Sequence, residues 1–496
     1  MKKNLLAYSI IFLSLFCFVD LSIGWSSFIF IALAVLLFFQ QRGTGMPLPP
    51  VSLLLLANVL GYPAIVVVPW LYRDIWANMH PYIIELTMLW AVRGFAAFCC
   101  AYLLSDAFTQ HFHRRAHRDG DEAERLAYLR YGAHFLGSLA IVAWVLGQYY
   151  FSMSMTAVSN GSASLAAPET QSSVLMALQQ MIDLRTPFLF LFGFMYIRRM
   201  ADRFTWLLFA GVSAGLLFEI VTLGSKGVII QPLVIAALVI ACTARRLSLK
   251  QFCVGALMLV TVYMAFMIIT EYRYILRNKN MSGEDVYTVS LRLETFGEAF
   301  FASLPFSEKS AQRRTTVNEE QIFNRISSGI FSFGNMLYFT GGHPPYENAW
   351  QTLLIPVYSI VPRAVMEKPI FLSAGRFGQE YFHTPTAISV STLGAFYHAW
   401  GYGGILAGMA LSGATVAFFI RRTLLRATAF NSMVLMASMV LNLVNVGSSF
   451  FQVINESCRL AVILLGLYML YPIVRRLKNG YAVMALPAGR RTGGDL

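Results

Sequence analysis

Three cationic side chains, Arg363, Lys368 and Arg376, stand on a short polar stretch of an otherwise hydrophobic sequence. Pro362 and Pro369 interrupt the stretch, and proline does not continue a helix. Fixed cations of this kind bind phosphate oxygens, Arg through a planar pair of hydrogen bonds and Lys as a point charge. The pattern therefore predicts a site for an anionic, phosphate-bearing ligand, directly before a hydrophobic helix that is predicted to begin near residue 390.

Other cations accompany this stretch. Arg273 and Arg277 follow the ninth apolar run, and Arg325 lies further along the same polar region. Lys226 stands between two apolar runs, and Arg185 lies within the sixth. Ionisable groups at membrane depth are energetically expensive and are usually functional, so Arg185 and Lys226 are the stronger candidates.

A structural interpretation of the same cations stays open, because most exposed loop charges contribute little beyond solvation. The loop cations have nearby carboxylates in Glu294, Glu367 and Glu380, and Asp183 is an available partner for Arg185.

The elements that hold these cations must be membrane helices. Hydrophobic residues make up 57% of the 496 residues and charged residues only 13%. Apolar runs of about 18 residues or more recur along the chain, and each is long enough to cross a hydrocarbon core of about 30 Å. We therefore predict an all-α polytopic integral membrane protein. About twelve spans are predicted by hydropathy, near residues 4–21, 23–40, 51–70, 82–105, 132–152, 178–197, 204–222, 228–243, 252–270, 390–420, 430–448 and 458–474.

The positions of Lys and Arg in short loops predict the orientation, because such loops are enriched in cations on the cytoplasmic side. Alternate loops carry these cations: Lys2, Lys3, Arg42, Arg114, Arg115, Arg118, Arg198, Arg199, Arg203, Arg245, Arg246, Lys250, Arg421, Arg422, Arg426, Arg475, Arg476 and Lys478. With twelve spans, both termini are then cytoplasmic. These dispersed anchors explain most of the net charge of +13, so the basic composition does not indicate nucleic-acid binding.

This topology divides the chain into three parts. Residues 1–270 form nine N-terminal spans with a cytosolic loop at 106–131, which is predicted to be a helix of mixed charge. Residues 390–496 form three spans and a cytosolic tail. Residues 271–389 form a large external, periplasmic region. All six cysteines lie in or beside predicted spans, so no disulfide framework supports that region. Within it, residues 347–369 carry an apolar face interrupted by prolines, which predicts re-entrant or interfacial helices.

Several motifs in and after this region form a recognisable set: Ile355-Pro356, Val361-Pro362-Arg363, Lys368-Pro369, Ser391-Thr392-Leu393-Gly394, Tyr397, Trp400-Gly401 and Gly403-Gly404. Upstream, Gly224-Ser225-Lys226-Gly227 stands where two predicted spans meet. Together these motifs resemble the Wzy-type oligosaccharide repeat-unit polymerases of O-antigen and exopolysaccharide assembly, in which a (G/S)-(R/K)-G turn also occurs. The family often carries an acidic residue after the glycine of the later motif, and this chain has Ala395 there.

The resemblance implies a glycosyltransferase of the bacterial cytoplasmic membrane that joins oligosaccharide repeat units carried on undecaprenyl diphosphate, on the periplasmic side. The growing glycan on its lipid diphosphate is the donor, and a hydroxyl of a new lipid-linked repeat is the acceptor. The cations implied to bind the leaving diphosphate are Arg363, Lys368, Arg376, Lys226, Arg185, Arg273, Arg277 and Arg325. The implied partners are the lipid-linked oligosaccharide, membrane lipids, a chain-length regulator and a flippase.

Such a reaction needs a base near the acceptor hydroxyl. The candidates on the periplasmic side are His343, Glu347, Glu380, His383 and His398. Glu380 and His383 are three residues apart, so one helical turn would place them on one face. His398 lies between Tyr397 and Trp400 at the mouth of the tenth span, where a packed, hydrogen-bonded histidine is the competing interpretation. Of these candidates, Glu380 and His398 are favoured for the base.

No metal and no cofactor are predicted. The one Asp-x-Asp pattern, Asp119 to Asp121, lies in a predicted cytosolic loop crowded with Arg and Glu. An O-antigen ligase-like transferase and a lipid-linked oligosaccharide flippase remain alternatives. A flippase is expected to show two related halves, which this sequence lacks, but Arg93, Glu219, Glu456 and Arg459 lie in or next to spans and keep the transporter alternative open.

Overall fold

The computed structural model describes the helical bundle and the segments that dock on it. The described residues are 2–42, 49–69, 76, 79–115, 122–158, 178, 181–223, 226–243, 249–281, 289–303, 328–339, 349–361, 391–425, 430–444 and 450–484. The main elements in these residues are helices: α1 Lys2–Phe16, α2 Ile23–Arg42, α3 Val51–Gly61, α4 Ala64–Val67, α5 Pro81–Arg115, α6 Glu122–Val158, α7 Arg185–Ile197, α8 Arg203–Leu223, α9 Lys226–Thr243, α10 Leu249–Met281, α11 Val289–Ser303, α12 Ser328–Phe339, α13 Ala349–Leu353, α14 Ile355–Ile360, α15 Thr392–Leu425, α16 Phe430–Val444 and α17 Phe450–Met484. Across the described ranges no strand occurs, as the composition predicts.

By length and composition, six of the described helices can cross a membrane: α2, α5, α6, α8, α15 and α17. Further helices among the described residues are apolar but shorter, namely α1, α3, α7, α9 and α16. Each predicted span overlaps a helix. The chain is therefore an all-α membrane protein, as expected, whereas the number of spans and their sidedness stay predictions.

Contacts between helix termini define one end of the bundle, which we call the basic end. Arg421 of α15 lies 3.6 Å from Asp106 of α5, and Gln41 of α2 donates a hydrogen bond to the same carboxylate over 3.4 Å. Glu124 of α6 pairs with Arg475 of α17. Helix termini predicted to share one side of the membrane thus meet at one end of the bundle.

The structure confirms most of the helix predicted at 106–131. Helix α5 continues to Arg115 and α6 begins at Glu122, so most of the stretch is helical. Neither helix contains an internal proline. Charged side chains end a membrane span without ending the helix, since the backbone hydrogen bonds continue beyond the hydrocarbon core.

Helices α5 and α15 form the centre of the bundle, and small residues allow their close approach. A Cβ at Gly413 of α15 would lie 2.2 Å from the carbonyl oxygen of Phe98 on α5. Near its start α15 is kinked at Trp400 and Gly401, where Gly401 has φ 66°, in the region that favours glycine. The Trp400-Gly401 motif therefore bends α15 and separates a short first segment, which carries His398, from the rest of the helix.

The described parts of the 271–389 region pack on the bundle as helices. Helix α10 extends past its predicted span, and α11 folds back along it through an ion pair between Lys279 and Glu298 at 3.0 Å. Further on, α13 and α14 contain five and six residues, too few to span a membrane. Pro356 stands in the first turn of α14, and the helix ends before Pro362. The interfacial position of these short helices stays a prediction.

Candidate functional site

A buried ion pair links α7 and α8 at the end of the bundle opposite the basic end. Arg185, the first residue of α7, holds a carboxylate oxygen of Glu219 at 2.6 Å through Nη1. The two side chains are only 12% and 9% exposed. Burying two charges is costly unless both are paired, so this contact fixes how α7 and α8 pack.

One donor of the Arg185 guanidinium is not used by the ion pair with Glu219. Its Nε is buried and has no hydrogen-bond partner within the described ranges. The side chain lines a small pocket whose walls include Trp144, Ile182 and Leu216. A buried donor without a partner costs free energy, and a guanidinium beside a pocket is suited to an anionic ligand.

Helix α9 starts beside this ion pair. Gln231 of α9 donates a hydrogen bond to the hydroxyl of Thr186, the residue after Arg185. Lys226, a predicted phosphate ligand, is the first residue of α9 and lies about 7.5 Å along the helix axis from Gln231. The backbone of Lys226 is therefore at the same end of the bundle as Arg185. The Lys226 side chain is not among those that the structure describes.

A second polar group joins α16 and α17 beside the first. Asn442 of α16 donates a hydrogen bond to the carboxylate of Glu456 on α17. Asp183, two residues before Arg185, is close enough to repel that carboxylate, and Arg459 attracts it. Asp183 and Glu456 are both exposed on the surface that the described residues form. We call Asp183, Arg185, Glu219, Asn442, Glu456 and Arg459 the polar cluster.

Arg459 also holds the proline-interrupted segment against the bundle. Its Nε donates a hydrogen bond of 3.0 Å to the carbonyl oxygen of Ser359 in α14. Ile355 and Tyr358 bury their side chains, whereas Val357 and Ile360 on the same short helix are exposed. Helix α14 therefore docks on α17 through one face, and the chain leads from the polar cluster towards Arg363.

His398, a predicted base, is almost completely buried, with 1% exposure. It lies in the short first segment of α15, where Tyr397 meets Phe333 edge to face and Trp400 meets Phe451 in the same way. Burial among aromatic rings is what the packing interpretation of His398 expects. The assignment of His398 as a base stays a prediction.

The remaining predicted site residues are only partly described. Arg273 is an exposed residue of α10, and Arg277 belongs to the same helix, with its side chain outside the description. Ala395, where the family often has an acid, is buried in α15. The predicted residues that fall outside the described ranges are Arg325, His343, Glu347, Arg363, Lys368, Arg376, Glu380 and His383.

Sequence reasoning did not assign Glu219, Asn442, Glu456 or Arg459 to a phosphate site. The signal for three of them was present, since charged side chains within apolar runs are rare and usually functional. Arg93, noted for the same reason, belongs elsewhere: its Nε donates to the carbonyl oxygen of Cys17 at 2.9 Å, and Nη2 lies 3.5 Å from Asp20. Arg93 therefore ties the turn that follows α1 to α5 and does not join the cluster.

No protein-family model, curated protein or solved structure matches the chain.

Proposed function

We propose that the protein is a polysaccharide polymerase that joins undecaprenyl-diphosphate-linked oligosaccharide repeats at the end of the bundle opposite the basic end. The observation that carries the proposal is the docking of α14 on Arg459 beside the polar cluster. Two residues after the described segment ends at Val361, the sequence continues with Arg363, and then with Lys368 and Arg376.

The charges of the polar cluster explain why these additional cations are needed. Asp183, Glu219 and Glu456 contribute three carboxylates, against the guanidiniums of Arg185 and Arg459. Such a cluster repels a diphosphate unless further cations approach it. In our proposal Arg363, Lys368 and Arg376 supply that charge. The Nε of Arg185, which has no hydrogen-bond partner among the described residues, is an additional donor.

Glu456 is the base in this proposal. It takes the proton of the acceptor hydroxyl, whose oxygen then attacks the anomeric carbon of the donor glycan. The bond between that carbon and the diphosphate oxygen breaks, and the lipid diphosphate leaves with the bonding electrons, stabilised by the cations. Glu456 is preferred to His398 because Glu456 is an exposed residue on the surface that the described helices form, whereas His398 is buried. The sugar–diphosphate bond supplies the energy, so no nucleotide is required.

The test uses purified full-length protein and lipid-linked repeats. Arg363→Ala is expected to abolish long polymer, and Arg363→Lys to restore part of it, since Lys supplies charge without the bidentate contact. The control is Arg198→Ala, which removes a cation at the opposite end of α7. Polymer of normal length from Arg363→Ala at normal protein level would contradict the diphosphate-binding role.

A flippase is the second candidate, favoured by the paired charges that lie within apolar helices, Arg185 with Glu219. Liposomes containing the protein and a fluorescent lipid-linked oligosaccharide separate the two functions. The polymerase proposal expects longer glycans with no added transfer across the bilayer. Transfer without elongation would establish the transporter. Glycan joined only to a lipid A core acceptor would establish the ligase-like alternative.

A further inference from the structure

Helix α11 turns polar side chains inwards and apolar side chains outwards. On its inner face Arg292 and Thr295 are buried, with 5% and 0% exposure. On its outer face Leu293, Phe300 and Phe301 are exposed, the last to 69%. A helix that packs on a protein in water has the opposite pattern, with its apolar stripe against the core. The pattern of α11 therefore indicates that another apolar surface covers its outer face.

The outer apolar residues form one continuous stripe. Phe300 and Phe301 follow Leu293 by about two helical turns, so the three side chains lie on the same side of the helix. Gly297 stands between them, and a Cβ placed there would meet no atom of the described residues within 4 Å. The rings of Phe300 and Phe301 meet edge to face at 5.7 Å. The stripe is therefore open along its length and ends in a pair of aromatic rings.

The contacts of α11 with α10 show where this stripe lies along the bundle. Helix α9 begins at the end opposite the basic end, so α10, which follows α9 and packs beside it, ends there. Lys279 of α10 donates hydrogen bonds to Thr295 and Glu298 at 3.2 and 3.0 Å. Tyr272, about two turns earlier on α10, meets the ring of Phe296 at 5.8 Å. The middle of α11 is therefore level with this part of α10, and α11 runs back towards the bundle.

The far end of α11 reaches the predicted membrane surface. The predicted span of α10 ends near residue 270, where its apolar run gives way to charged residues. Phe300 and Phe301 lie about 6 to 8 Å beyond Phe296 along the helix axis, which brings them level with that boundary. Glu294, an exposed acidic residue of α11, lies about 10 Å further out than Phe301. Aromatic rings thus stand at the lipid boundary, and a carboxylate stands on the aqueous side.

We propose that the outer face of α11 docks on the lipid surface, with the rings of Phe300 and Phe301 inserted between head groups and the upper acyl chains. Lipid is the occupant that the position favours, because the two rings adjoin the end of a membrane helix. The inference is independent of the proposed function. It adds a membrane contact to the region 271–389, in which the sequence predicts interfacial helices only at 347–369. The contact holds the α10–α11 hairpin against the membrane.

Depth-dependent quenching tests this docking. Phe301→Cys and Leu293→Cys are labelled with a nitrobenzoxadiazole fluorophore in the full-length protein in nanodiscs, and wild-type protein labelled in the same way gives the background of the native cysteines. A nitroxide near the top of the lipid acyl chain is expected to quench most of the fluorescence of the Phe301→Cys label and less of the Leu293→Cys label. Iodide in the buffer should give the reverse order. The control is Asn278→Cys, an exposed position of α10 beyond its predicted span, which only iodide should quench.

Two outcomes of the quenching experiment would overturn the proposal. One is quenching of the Phe301→Cys label by iodide as strongly as that of the Asn278→Cys label. The other is equal quenching of the Phe301→Cys and Leu293→Cys labels by the acyl-chain nitroxide, because the expected gradient of depth would be absent. If iodide reached the Phe301→Cys label in nanodiscs but not in native membranes, a protein partner would cover the face in place of lipid, and the proposal would be wrong.

A photoreactive phospholipid tests the wild-type protein and covers the case in which a variant does not fold. Its reactive group is placed near the top of the acyl chain. The peptide that contains Phe300 and Phe301 is expected to be labelled, whereas the peptide that contains Asn278 is not. Labelling of the membrane helices without labelling of α11 would contradict the docking of α11 on lipid.

Discussion

The two ends of the helix bundle carry charge in different ways. At the basic end, Glu124 and Arg475 form a pair whose side chains are 48% and 52% exposed, whereas Arg185 and Glu219 at the opposite end are 9 to 12% exposed. The basic end also holds a partly buried pair, Asp106 with Arg421. In both buried pairs the arginine Nε has no hydrogen-bond partner among the described residues, and Arg185 lines a small pocket.

This difference between the two ends distinguishes charges that anchor helix termini from charges that form a candidate site. Pairs at the basic end join helix termini, and the exposed pair of Glu124 and Arg475 contributes little to stability. The polar cluster instead brings Asp183 and Glu456, two carboxylates, within repulsion of each other and docks α14 at the same place. Like charges held together are an unfavourable arrangement that a ligand or a proton relieves, which is typical of functional sites.

The buried pair gives the largest expected effect on stability. Arg185→Ala leaves Glu219 buried without its partner and is expected to lower the free energy of unfolding by about 3 kcal/mol. The double substitution Arg185→Ala with Glu219→Ala should cost less, because no uncompensated charge remains. Unfolding of the purified protein in lipid bicelles measures both variants. If Arg185→Ala lowered the free energy of unfolding no more than Arg475→Ala does, the ion pairs at the two ends would not differ in their contribution to stability.

Glu456→Gln gives the next largest effect, on activity. Gln preserves the shape and an oxygen that accepts the hydrogen bond from Asn442, but it does not accept a proton at neutral pH. Polymer formation is expected to fall about 100-fold while the unfolding temperature stays the same. Glu124→Gln, the matched change at the basic end, should leave the rate unaltered. If Glu456→Gln polymerised at the normal rate, Glu456 would not be the base.

Asp202 caps α8 at the basic end, and its replacement is expected to have a moderate effect on stability. Its carboxylate accepts hydrogen bonds from the backbone N–H and the hydroxyl of Thr205, at 2.8 and 2.6 Å, and lies 3.2 Å from His134. Asp202→Ala removes this N-cap and is expected to lower the free energy of unfolding by about 1 kcal/mol. Polymerisation should remain intact. A loss of activity with unchanged stability would indicate that the basic end also takes part in function.

The same residue predicts a pH dependence. Burial raises the pKa of Asp202, but the hydrogen bonds from Thr205 and the charge of His134 outweigh it and lower the pKa from 3.8 to about 2. A lowered pKa stabilises the folded protein above the unfolded value and loses that contribution as the pH falls from about 4 towards 2. Wild-type protein should therefore lose more stability than Asp202→Ala over this range. If the stability of the wild-type protein and of Asp202→Ala fell equally over this pH range, the capping role of Asp202 would be contradicted.

The smallest effect is expected from the exposed pair. Arg475→Ala should change the free energy of unfolding by about 0.5 kcal/mol or less, and less again at high salt. Thermal unfolding at two salt concentrations measures it. A change as large as that of Arg185→Ala would show that exposure does not distinguish the two ends.

Much of the fold follows from local sequence. A hydrophobic run in a membrane must satisfy its backbone hydrogen bonds internally and therefore forms a helix, and the predicted spans all overlap helices. The helix predicted at 106–131 is confirmed at 106–115 and 122–131, where α5 and α6 continue beyond their predicted spans. Hydropathy reports where hydrocarbon contact ends, and a helix continues beyond that point when no proline interrupts it.

The candidate site follows from sequence only in part. Arg185 was identified because a charge in an apolar run is costly, but Glu219 was not assigned as its partner. Arg459 contacts Ser359 across 100 residues of sequence, and no local pattern predicts a contact of that range. His398 stood out by its motif, yet its burial was decided by rings from distant helices.

The sequence by itself determined that this chain is a helical membrane protein, and it marked the cations and carboxylates that apolar surroundings make expensive. Hydropathy and charge are local properties, and helix hydrogen bonds are local as well. The tertiary structure alone decided that Arg185 pairs with Glu219 and that Arg459 holds α14. These relations depend on which helix faces pack together, and the packing involves side chains far apart in the chain.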